Sequence, residues 1–141
     1  MRIWMFVSLM VFYVPLALAQ DKPPSLPFSK AVAVGDMLYL SGELGIAPDT
    51  LALAPGGIAA ETKQVMENIK ATLKANGSDM NHVVKCLVML ADINEWAQMN
   101  AVYRTYFKKR FPARSALGAN GLALGARVEI ECIATVPAGG R

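Results

Sequence analysis

Histidine is nearly absent from this chain: among its 141 residues only His82 carries an imidazole. One histidine builds neither a multi-histidine metal site nor a pair of imidazoles for acid–base chemistry, and at the start of a strand it reads as half-exposed and ordinary. Cysteine is almost as scarce. Cys86 and Cys132 are the only two, both inside apolar strand-like runs, and no C-x-x-C exists to support a zinc ribbon or a dithiol redox motif. Their surroundings favour two buried thiols acting as small hydrophobes, with one intramolecular bridge as the other reading. No P-loop, G-x-G-x-x-G or G-x-S-x-G is present, so no phosphate cradle, dinucleotide site or nucleophile elbow is expected. An excess of positive charge is missing too. Lys and Arg number 14 against 11 Asp and Glu, which is not the charge of a nucleic-acid binder. Lys108-Lys109-Arg110 is more simply a set of cations facing the negative end of a helix dipole.

What the chain does have begins with an apolar run. Met1-Arg2 precedes "IWMFVSLMVFYVPLALA", which ends in Ala17-Leu18-Ala19 before Gln20. A small-residue A-x-A pattern after an apolar stretch is the form of a secretory signal, here with a thin charged start. Pro15 and the small residues favour cleavage over an uncleaved anchor. The expectation is a signal over 1–19, a proline-rich leader over 20–27, a domain over 28–137 and a short tail over 138–141. A periplasmic or secreted protein follows, with no membrane contact once the signal is removed. Setting Arg2 aside leaves 13 basic against 11 acidic residues, a balance of +2.

The remaining chain suits one domain with its own core. "FSKAVAVGDMLYLSGELGI" reads as strands over 29–34 and 37–41, joined by Gly35-Asp36, where glycine takes the positive φ of a tight turn. Ala47 to Gly57 is a loop by its Pro and Gly content. Ile58, Thr62, Val65, Ile69 and Leu73 then recur at helical spacing, with Glu61, Lys63, Glu67, Lys70 and Lys74 on the wetter sides and Asn76-Gly77 as the stop. "HVVKCLVML" is apolar at nearly every position and predicts a central strand buried on both faces. A second helix, capped by Asp92 or Asn94, runs to about Phe107 with Trp96, Met99, Tyr103 and Tyr106 as its core stripe. A short strand over 114–117, a Gly-rich loop and a last strand over 127–136 complete a β-β-α-β-α-β-β order. That order implies an α+β domain, a mixed sheet with two helices on one face. No second helical layer exists to cover the other face, so that face is expected to pack against further copies of the chain.

In the last strand, Val128, Ile130, Cys132, Ala134 and Val136 share one face, while Glu129 and Glu131 leave the other. Two such carboxylates are ordinarily a solvated face. Arg114, in "FPARSA", carries a planar fork that suits a ligand carboxylate and a structural salt bridge equally well.

Taken together, "LPFSKAVAVGDMLYLSGELGI", "FPARSA" and "VEIECIA", with the long stretch from Glu61 to Phe107 between them, resemble the RidA/YjgF family of reactive-intermediate deaminases. The match spans roughly 27–136. The resemblance implies a chorismate-mutase-like α+β fold, a homotrimer with a barrel-like core, and ligand clefts between subunits. It further implies hydrolysis of 2-imino acids to 2-keto acids and ammonia without metal or organic cofactor. In that reading Arg114 clamps the substrate carboxylate and Glu129 positions or activates the attacking water. Ser41 and Asn100 fall on family positions beside the cleft, and nucleic acid is not an expected partner. Two positions depart from the pattern. Phe28 stands where the family has a tyrosine, removing a hydroxyl, and Ala116 stands where a cysteine is common, keeping only its backbone groups. Lys30 adds a charge near the cleft mouth. The other readings are a non-catalytic trimer that binds small carboxylates, and the ribonuclease or translation-inhibitor activity of some relatives. The lone histidine and near-neutral charge speak against the last.

Overall fold

A computed structural model describes residues 26–139 of the chain. The expected signal over 1–19 lies outside the described residues, as do 20–25 of the leader and 140–141 of the tail. Among these residues six strands and two α-helices follow in the order β1 (Ala31–Val34), β2 (Met37–Leu40), β3 (Glu43–Leu44), α1 (Gly57–Ala75), β4 (Val83–Leu90), α2 (Trp96–Tyr103), β5 (Ala113–Gly118) and β6 (Val128–Thr135). The sheet runs β1-β2-β6-β4-β5, with short β3 pairing beyond β2 along β6. β4 and β5 are parallel and connected through α2; the other pairings are antiparallel. β1 and β2 form the expected hairpin, with Gly35 at φ 59°.

Helix α1 follows its apolar spacing: Ile58, Thr62, Val65, Ile69 and Leu73 are all buried. It stops as the sequence implies. Gly77 at φ 75° lets its N–H reach the Lys74 carbonyl and the Ser78 N–H reach the Leu73 carbonyl, which satisfies two carbonyls the helix leaves open. Glu61 corrects the expectation of a wet position. It is buried, and its carboxylate accepts from the Arg127 backbone N–H at 2.8 Å, tying the helix to the start of β6.

The second helical segment is shorter and less regular than its aromatic spacing suggests. Single 3-10 turns at Ile93–Glu95 and Arg104–Tyr106 flank α2, and the Asp92 side chain accepts from the Asn94 N–H at 2.9 Å. Met99 and Tyr103 are buried, but Trp96 is 40% exposed and Tyr106 half-exposed, so the expected core stripe is only half a core stripe. Both helices lie on one sheet face, where they close a core over Leu38, Val88, Leu90, Val128 and Ile130.

The opposite face is open. Lys85, Leu87 and Met89 of β4 are half-buried there, while Cys86, Val88 and Leu90 are buried beneath the helices. The expectation that β4 is buried on both faces therefore fails within one chain. Cys86 and Cys132 oppose each other in the β4–β6 register and form a disulfide, not two free thiols. Neighbouring antiparallel strands bring directly opposed residues close enough to bridge. That pairing depends on register, which spacing along the chain does not carry.

Candidate functional site

Arg114 is the second residue of edge strand β5, directly beside Cys86 of β4. Paired residues of neighbouring strands point to the same face, so its side chain leaves toward the helices. There its Nη1 donates to Asn100 Oδ1 at 2.6 Å, and the guanidinium lies 4.7 Å from the Tyr103 ring centre and 5.7 Å from that of Trp96. Stacking on aromatic faces fixes the fork without consuming its N–H groups. Among the described residues no carboxylate pairs with it, which removes the salt-bridge reading for this arginine. Trp96, 40% exposed, lies against this arginine and outside the core.

The fork opens onto a cleft of about 340 Å³ lined by Asn100, Tyr103, Arg104, Phe111, Pro112 and Arg114. Tyr103 is buried to 3% exposure, and its phenolic oxygen has no hydrogen-bond partner among the described residues. Burial pushes its pKa up to about 12, against the opposing pull of Arg114, so the group stays a neutral donor. Ala116, two residues along β5, shares Arg114's face and packs half-buried against the core.

Glu129 is elsewhere. It alternates with buried Val128 and Ile130 on β6 and so stands on the open face, opposite Met89. Gly42 lies against it. A Cβ at Gly42 would overlap the carboxylate oxygen and sit 2.9 Å from Glu129 Cδ, so any other residue there would displace this carboxylate from its position. The neighbouring Ser41 hydroxyl donates to the Ser29 carbonyl at 2.7 Å, and its oxygen retains lone pairs for a further donor. Phe28, next to Ser29 in sequence, is 53% exposed. Lys30, itself exposed, is paired: its Nζ lies 3.3 Å from both oxygens of buried Glu43, which also accepts from Thr72 at 3.1 Å. Glu131 is exposed on the open face.

The residues thus form two groups on opposite faces of one sheet. Arg114, Asn100 and Ala116 belong to the helix side; Glu129, lying against Gly42 and so beside Ser41, belongs to the other. One chain does not bring Arg114 and Glu129 together. Sequence reasoning missed Arg104 and the buried Tyr103 hydroxyl as cleft residues, because helical spacing marks Tyr103 simply as core. His82, beside Asp79 at 3.0 Å, is remote from both groups in the fold, next to β4's start. Among the described residues no cluster of three metal-ligating side chains occurs, and no helix is long and apolar enough to cross a membrane.

Comparison with known proteins gives the arrangement its context. The family model described as Endoribonuclease L-PSP matches residues 19–136. The 2-iminobutanoate/2-iminopropanoate deaminase of Bos taurus is 50% identical over 108 residues, covering 77% of this chain and 79% of that protein. The human protein of the same name is 45% identical with the same coverage. Among solved structures, RidA from an Antarctic Psychrobacter superposes with a TM-score of 0.76 at 40% identity, covering 80% of this chain and 91% of that one. The E. coli YjgF gene product superposes at 0.74 with 33% identity, covering 79% and 89%. The chain belongs to the RidA/YjgF family, the family described as Endoribonuclease L-PSP.

Proposed function

We propose that this protein hydrolyses 2-imino acids to 2-keto acids and ammonia, in clefts completed by a second copy of the chain within a homotrimer. The observation that carries the reading is the separation of Arg114 and Glu129 onto opposite sheet faces. An aromatic-stacked guanidinium with no carboxylate partner is an anion site waiting for a ligand. A carboxylate held against Gly42 on an uncovered sheet face is a base waiting for a substrate. Packing the open face of one copy near the helix-side edge of the next supplies both to one cleft. The deaminase names of the relatives at 45–50% identity support the same chemistry.

The mechanism needs little from the protein. The imine carbon of a 2-imino acid is already electrophilic. Arg114 binds the α-carboxylate bidentately, with Asn100 and the aromatic rings holding the fork in place, and this fixes the carbon relative to the partner's acid. Glu129 takes a proton from water as the oxygen adds to that carbon. The tetrahedral intermediate loses ammonia, with the nitrogen gaining protons as the C–N bond breaks, and leaves the keto acid. The test couples an amino-acid oxidase, which generates imines in place, to keto-acid and ammonia release. Acceleration with at least one amino acid supports the reading. Carboxylate binding without acceleration would make the protein a binding module instead. Mass measurement in solution checks the assembly, and a stable monomer at micromolar concentration refutes the shared cleft.

Export belongs to the same proposal. The A-x-A pattern at Ala17-Leu18-Ala19 supports removal of the first 19 residues. The Cys86–Cys132 disulfide suits an oxidising compartment. Intact-mass analysis should find a chain beginning at Gln20 outside the cytoplasm; full-length protein in the cytoplasm refutes it.

A further inference from the structure

The Arg114 cleft holds a second guanidinium that the proposed reaction does not use. Arg104 lines the same cavity, yet its side chain is exposed and makes no hydrogen bond or ion pair among the described residues. Its position follows from helical geometry. Asn100 and Arg104 are four residues apart, so they project from one side of the segment about one turn, ~5.4 Å, from each other. Asn100 is the residue that holds Arg114 at 2.6 Å. Arg104 thus leaves the same side of the segment as the residue that holds Arg114, and both arginines border one cavity of about 340 Å³. The same cavity is lined by Tyr103, whose buried hydroxyl lacks a partner among the described residues, and by Phe111, a large apolar ring left 58% exposed. Two cations, one spare donor and an apolar wall in one cavity form an arrangement for a ligand that is anionic at both ends. Like charges sharing a small cavity oppose one another, and a dianion relieves that repulsion where a monoanion relieves only half of it.

We propose that Arg104 is a specificity-determining residue that takes a second carboxylate, making dicarboxylic 2-imino acids a preferred substrate class of this cleft. The inference rests on the proposed carboxylate clamp at Arg114, and its chemistry requires an upstream reaction that oxidises acidic amino acids to their imines. The imine of such an amino acid would place its α-carboxylate on Arg114 and its distal carboxylate on Arg104.

Calorimetric titration with product-type ligands separates this from the underlying reading. The probes are 2-oxoglutarate, with two carboxylates, and 2-oxobutanoate, with one. The wild type should bind the diacid about two- to fivefold more tightly, the worth of one charge-assisted contact at an exposed position. Arg104→Gln should bring the ratio of the two affinities toward one, Arg104→Glu should invert it, and Arg104→Lys should restore part of it. The kcat/KM ratio for imines generated from glutamate and from leucine should move in the same direction. Equal affinity for both ligands in the wild type overturns the proposal, as does failure to bind either. A diacid preference that survives Arg104→Gln also overturns it, by showing that Arg104 meets a different partner. Arg114→Lys should weaken both ligands together. If it weakens neither while Arg104→Gln still erases the diacid preference, the clamp reading has failed and the second anion site stands.

Discussion

Replacing Gly42 by alanine tests the assignment of Glu129 more sharply than removing the carboxylate does, because it leaves every titratable group in place. The new methyl would overlap Glu129's oxygen and approach its Cδ to 2.9 Å and its Cγ to 3.1 Å. Gly42 does not need a left-handed backbone, since its φ lies outside that region, so the main chain tolerates alanine. The clash falls on the end of a flexible side chain that can swing toward solvent on the open face. Moving it to another rotamer costs ~0.5–1.5 kcal/mol, so the variant should fold with a melting temperature only a few degrees lower. Catalysis should suffer far more, since a displaced general base forfeits roughly 10²-fold or more in kcat. Gly45→Ala provides the contrast. Its Cβ would meet the Glu61 backbone at 2.9 Å, where nothing can swing away, so that variant should lose ~1–3 kcal/mol of stability. Kinetics and thermal melting on both variants, beside Glu129→Gln and the Gly42→Ala/Glu129→Gln pair, complete the cycle. If alanine acts only by displacing the carboxylate, the double variant is no slower than Glu129→Gln, because the two changes remove one function. Wild-type turnover in folded Gly42→Ala, or a double variant slowed by the full product of both effects, refutes the reasoning.

Arg114→Lys keeps the charge but loses the fork, and should cost ~2–4 kcal/mol in transition-state binding, about 30- to 1,000-fold in kcat/KM, with little change in melting temperature. Glu131→Gln, on the same strand and face as Glu129, should change little; a comparable loss there would show that the acids have been assigned in the wrong order. Replacing Cys86 and Cys132 together by alanine opens a bridge between residues 46 apart in sequence and should remove ~2–4 kcal/mol of stability, read from denaturant unfolding. An unchanged midpoint would mean the bridge does not form in the expressed protein. Burial raises the Tyr103 pKa to about 12 in the folded chain, against 10 when unfolded. Its contribution to stability is therefore complete below about pH 10 and is lost as pH rises toward 12, at up to ~1.4 kcal/mol per pH unit. Tyr103→Phe should flatten that alkaline decline without loss of stability at neutral pH, since the buried hydroxyl has no partner to lose.

Local rules carried much of this molecule. Helix α1 is legible because its apolar residues repeat at its own period, and its end is legible because Gly77 is the residue suited to a left-handed stop. The hairpin at Gly35 and the inward set of β6 follow from equally short-range rules. The importance of Arg114 and the carboxylate pair was visible through their resemblance to a family pattern.

Long-range decisions were not legible, each for a geometric reason. Burial of Glu61 depends on an N–H arriving from Arg127, 66 positions away. Whether Cys86 meets Cys132 depends on β4–β6 register, and a one-residue slip would put the two sulfurs on opposite faces. Trp96 and Tyr103 share a helical spacing, but only the path of β5 brings Arg114 against both rings, one of them exposed and the other buried. Alternation along a strand says which residues share a face and leaves open which way that face turns in the sheet. Arg114 leaves β5 toward the helices because β5 runs parallel beside β4 with Arg114 level with buried Cys86; Glu129 leaves β6 the other way because Val128 and Ile130 claim the core. The sequence by itself determined the two chemical groups, and the tertiary structure alone placed them back to back, since strand pairing and not strand composition decides which face of the sheet a side chain meets.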